Sequence, residues 1–104
     1  MEIIQGITPT FTFSIPSDCG IDLTECENVY VTFRQGNTIL TKTGTDIVVS
    51  ETEVDVYLSQ SETLAFGVGN VRVQLNWTYA DGSRGASKQV NINWDANLLK
   101  EVLE

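Results

Sequence analysis

The stretch VRVQLNWTY, Val71 to Tyr79, decides the fold class. Val71, Val73, Leu75, Trp77 and Tyr79 share one face, while Arg72, Gln74, Asn76 and Thr78 share the other. A period of two marks a strand. One apolar face places that strand in an antiparallel sheet whose other side is wet. Just downstream, Asp81-Gly82-Ser83 is a turn signal. The chain then returns through Gln89 to Trp94, with Val90, Ile92 and Trp94 on one face.

The same alternation recurs upstream. Thr8 to Ile15 sets Phe11, Phe13 and Ile15 against Thr10, Thr12 and Ser14, and Pro9 and Pro16 bracket the run as at a sheet edge. Asn28 to Arg34 alternates Val29, Val31 and Phe33 with Tyr30, Thr32 and Arg34. Gly36-Asn37 predicts a hairpin turn into Thr38 to Thr43. Gly44-Thr45-Asp46 reads as a turn, Ile47-Val48-Val49 as a short strand, and Glu53 to Leu58 as another with Val54, Val56 and Leu58 inward. Ser59-Gln60-Ser61-Glu62 fits a helix capping box, with Leu64 and Phe66 anchoring one turn to the core. About seven short strands with regularly spaced turns predict an all-β sandwich, with a small barrel as the alternative.

The chain has 104 residues, the size of one domain. Asn97 to Glu104 changes period: Leu98, Leu99, Val102 and Leu103 fall at helical spacing, so residues 95–104 are expected as a short helical tail. A helix this short needs a surface to pack on, either its own sandwich or another subunit. No apolar run reaches the ~18 residues of a membrane helix. The N-terminus carries no signal peptide pattern, so the chain is expected to be made and kept in the cytoplasm, or released by lysis.

Fourteen acidic against six basic residues give a net charge of −8, which disfavours nucleic acid and anionic membranes as partners. The chain has no histidine, so the usual general base is missing and a Ser-His-Asp or Cys-His arrangement cannot form. No enzyme activity and no cofactor are expected. Asp18, Asp22, Glu25 and Glu27, like Asp46, Glu51, Glu53 and Asp55, read as solvated acids without calcium-loop spacing. Gly67-Val68-Gly69 reads as a turn, not a phosphate loop. Asp22-Leu23-Thr24-Glu25 reads as a capped turn in which Ile21 and Leu23 plug the sandwich end. Cys19 and Cys26 have six residues between them; a disulfide closing that short loop is geometrically possible, but free thiols are the expectation in a cytosolic protein. The candidate contact residues are Phe11 on the edge strand, the outward Tyr30 and Tyr57, and the tail residues Leu98, Leu99, Val102 and Leu103. Packing against neighbouring segments of the same chain is the competing role for the tyrosines and the leucines.

TPTFTFSIP (Thr8 to Pro16), IDLTECENVYVTFRQGNTILTKT (Ile21 to Thr43), VYLSQSETLAF (Val56 to Phe66) and VRVQLNWTYADGSRGAS (Val71 to Ser87) are distinctive as an ordered set. In them the chain resembles the N-terminal immunoglobulin-like domain of phage baseplate upper proteins, found in tailed phages and prophages of Gram-positive bacteria. The resemblance implies an immunoglobulin-like antiparallel sandwich and a structural role in a virion tail or baseplate assembled in the host cytoplasm. The implied partners are other phage structural proteins, further copies of this chain, or both. It implies no catalytic or metal residues. A carbohydrate- or cell-surface-binding immunoglobulin-like module is the alternative; it calls for aromatics exposed on loops or on one flat face, and an exposed Trp77 or Trp94 would favour it.

Overall fold

The computed structural model describes residues 2–15 and 21–99, and these form two sheets around one core. The strands are β1 (Glu2–Ile4), β2 (Thr10–Ser14), β3 (Asn28–Gln35), β4 (Thr38–Thr43), β5 (Ile47–Val49), β6 (Glu53–Tyr57), β7 (Gly69–Thr78), β8 (Arg84–Ala86) and β9 (Val90–Asp95). The larger sheet runs β1-β9-β7-β3-β4, with β8 also paired to β7, and the smaller runs β2-β6-β5. β1 pairs with β9 in parallel, whereas every other pairing is antiparallel. The architecture is an all-β sandwich, and its open sheet edges rule out the barrel.

The alternation read from the sequence holds the two layers together. Phe11, Phe13, Val54 and Val56 of the smaller sheet, and Val31, Phe33, Val71, Val73, Leu75 and Trp77 of the larger, are all buried. Phe11 meets Phe33 across the layers at 6.1 Å between centroids, edge to face. Such aromatic pairs add stability beyond the area they bury. Leu23 is buried in a 3-10 turn (Leu23–Glu25) capped by the Asp22 carboxylate, and closes one end of the sandwich as expected.

The other end is closed by α1 (Gln60–Ala65). Both halves of the capping box form: the Glu62 N–H donates to Ser59 Oγ at 3.3 Å, and the Ser59 N–H donates to Glu62 Oε1 at 2.9 Å. Phe66 is buried against Trp94, while Leu64 is only half-buried. The fully buried residue of α1 is Thr63. Its hydroxyl donates to the Ile7 carbonyl and accepts from the Gly6 N–H, each at 2.9 Å. Its own carbonyl accepts from Trp94 Nε1 at 2.9 Å. One residue thus joins the β1–β2 loop, α1 and β9.

β1 and β8 lie outside the strands expected from the sequence. β8 reads Arg84-Gly85-Ala86 and has no apolar alternation. It lies across the Trp77 indole, where Gly85 is the one residue that fits: a Cβ there would overlap Nε1 and sit 2.5 Å from Cε2. The expected helical tail is corrected over its described part. Asp95 belongs to β9, and residues 96–99 are not helical. Asn97 Oδ1 accepts from the Leu99 N–H at 3.0 Å while its Nδ2 donates to the Gln5 carbonyl at 2.9 Å. Such local side-chain bonds compete with helix formation. Residues 100–104 lie outside the described residues.

Candidate interaction surfaces

The expected contact residues do not form one patch. Phe11 is corrected from a contact residue to a core residue, only 5% exposed and packed on Phe13 and Phe33. β2 is indeed an edge strand, but edge position frees the backbone while the pleat still turns alternate side chains inward. Tyr57 projects from the outer face of the smaller sheet and is 53% exposed. Tyr30 lies half-buried on the outer face of the larger one. Leu98 and Leu99 are exposed beyond β9, and Val102 and Leu103 lie outside the described residues.

The outer face of the larger sheet carries a feature that per-strand reading missed. Arg34 of β3 and Arg72 of β7 are direct cross-strand partners. Arg84 of β8 shares that face and donates from Nη2 to Asn76 Oδ1 at 2.9 Å, while Arg34 Nε donates to the Gly36 carbonyl at 3.1 Å. All three arginines of the chain therefore stand on one wall of the sandwich. Like charges directly opposite each other destabilise a sheet. The only salt bridge among the described residues is elsewhere, joining Lys42 to Glu62 at 2.6 Å, so none of the three arginines is ion-paired; the acids of the same face, Glu2 and Asp95, stand at its β1–β9 edge, away from the β3–β7 pair. Around the arginines lie Tyr30, Gln74 and Asn76, lining shallow hollows of about 310 and 270 Å3. Pairing register was the missing signal: Arg34 and Arg72 both read as outward from the sequence, but only the β3–β7 alignment sets them side by side.

The smaller sheet has the opposite character. Glu53, Asp55 and Tyr57 project outward from β6, and the exposed Val48 lies opposite Asp55 on β5. Thr12 donates to Asp55 Oδ1 at 2.7 Å and Ser14 to Glu53 Oε2 at 3.2 Å, which orients both carboxylates.

The titratable groups elsewhere read as structural. Burial first, then Asp22 and Glu25, push the Cys26 thiol above its ordinary value, which suppresses the reactive thiolate. Burial would raise the Glu62 carboxyl, but hydrogen bonds from Lys42 and Ser59 together with the Lys42 charge lower it. Asp81 is lowered by the Ser83 hydroxyl and N–H in the β7–β8 turn. Among the described residues no group of three or more acidic, cysteine or histidine side chains is placed to hold a metal ion. No helix among them is long and apolar enough to cross a membrane. Cys19 and Asp18 lie outside the described residues.

Fold and surface together define a small all-β sandwich with a cluster of arginines on the outer face of one sheet and a pair of acids on the outer face of the other. No family model, no curated protein and no solved structure matches the chain.

Proposed function

We propose that this protein is a non-enzymatic structural component of a phage or prophage, an immunoglobulin-like module of a tail or baseplate that works through protein–protein contacts. The sequence resemblance supplies the phage context. The strand order supports the immunoglobulin-like part: β9-β7-β3-β4 faces β2-β6-β5, as the GFC sheet extended by C′ faces the second sheet in variable-type domains. The observation that carries the contact role is the row of arginines left without ion-pair partners on the outer face of the larger sheet. A local rule broken without internal compensation is expected at functional surfaces. The carbohydrate-binding alternative loses the support an exposed tryptophan would give, since Trp77 and Trp94 are 3% and 0% exposed.

The test is proteomics of intact tailed particles released when the host carrying this gene is induced. Peptides of this chain at a fixed ratio to known tail proteins are the expected result. Its absence from both finished particles and assembly intermediates overturns the reading.

A further inference from the structure

We infer that the partner of the arginine wall is a second copy of this chain, docked head to tail through its acidic wall. The inference rests on the protein–protein reading above and names the partner. Charge complementarity carries it. Arg34 and Arg72 face each other across the β3–β7 ladder, with Cα atoms about 5 Å apart. Glu53 and Asp55 sit two residues apart on β6, about 7 Å along the strand. Two long guanidinium side chains span that difference, and each is shaped to grip a carboxylate with two parallel hydrogen bonds. Thr12 and Ser14 already hold the carboxylates in place, so little side-chain freedom is lost on docking.

Each wall adds apolar contact to its charges. Ile39 is 57% exposed at the edge of the arginine wall, and Val48 and Tyr57 are 69% and 53% exposed on the acidic one. The two walls lie on opposite outer sides of the sandwich, so the contact is heterologous. Repetition then builds a ring where the rotation closes and a stack where it does not. The area sets the strength. β9, β7, β3 and β4 together offer roughly 500 Å2, below the ~800 Å2 per partner of a standard interface. One contact is therefore weak, salt-sensitive and visible only at high concentration, and gains strength by repetition in an assembly.

Neutral, shape-conserving variants test this. Arg34→Gln with Arg72→Gln silences the arginine wall, and Glu53→Gln with Asp55→Asn silences the acidic wall. Sedimentation velocity at millimolar protein and low ionic strength reads the outcome. Wild type is expected to show a salt-sensitive ladder of masses, and either variant alone to lose about tenfold in association constant. Mixing the two variants leaves one working wall on each and is expected to give a 1:1 dimer that grows no further.

Wild type monomeric under these conditions overturns the inference. So does association undiminished in either variant alone, which means like walls meet, or an arginine wall that captures other tail proteins but not its own chain. None of these results removes the chain from the particle, so the proposed function stands or falls separately on the particle proteomics.

Discussion

Replacing Gly85 by alanine should cost far more than its place in a short outer strand suggests. An added Cβ would overlap Trp77 Nε1 and lie 2.5 and 2.8 Å from Cε2 and Cζ2. The indole has no room to retreat: it is 3% exposed and its Nε1 donates to Tyr79 Oη at 3.1 Å. Overpacking of this kind costs about 1–3 kcal/mol, and breaking the Trp77–Tyr79 bond adds about 1 kcal/mol. A loss of about 2–4 kcal/mol lowers the melting temperature of a domain this size by roughly 10–30 °C. Circular dichroism reads the melting point, and the emission of Trp77 should shift to the red as the indole is levered toward solvent. Gly67→Ala is the control, since Gly67 has ordinary backbone angles and its nearest foreign atom, Gln35 Oε1, is 3.5 Å from the added carbon. Gly85→Ala melting within about 0.5 kcal/mol of wild type would refute the claim that β8 is held by close approach to Trp77.

Two further outcomes follow from the packing and the charges. Phe11→Ala is expected to cost about 3–5 kcal/mol, whereas Tyr57→Ala should stay within about 0.5 kcal/mol of wild type; chemical denaturation of both would return Phe11 to the contact residues if the order were reversed. Glu62 titrates below its ordinary 4.5, so its contribution is present above that value and lost as the pH falls through its folded pKa. Glu62→Gln, which removes the Lys42 salt bridge, should flatten the acid side of the stability–pH curve below that value, and an unchanged acid limb would show that Glu62 is not linked to folding.

Six of the seven strands that form the bulk of the sandwich were legible because each carries at least two inward apolar residues in a period of two, and β4, with Leu40 alone inward, because the Gly36-Asn37 turn announced it. β1 was not, because three residues with a single inward Ile3 hold no period, and its partner β9 lies at the far end of the chain. β8 was not, because what holds it is the absence of a side chain at Gly85. α1 was announced by Ser59 and Glu62, yet its buried anchor is a threonine, since three segments need hydrogen bonds there that leucine cannot make. The same division applies to the surfaces. Tyr57 was found because an outward tyrosine stands out within one strand. Arg34 and Arg72 were passed over because each is unremarkable alone and becomes informative only once the register pairs them.

That pair separates folding from function more sharply than any other feature of the molecule. A residue kept for packing stabilises the isolated domain, and its removal costs stability. Arg34 and Arg72 touch no carboxylate within the described residues and repel each other across the ladder, so neutralising them relieves the isolated sandwich by up to about 1 kcal/mol. The same substitution removes the groups that grip a carboxylate on a partner. Stability and assembly therefore move in opposite directions, as expected where a local strain is retained for activity. Arg34→Gln with Arg72→Gln melting higher than wild type while losing self-association would place these two residues on the side of assembly. A lower melting point would make them structural after all, and the arginine wall would then be part of how the sheet stands.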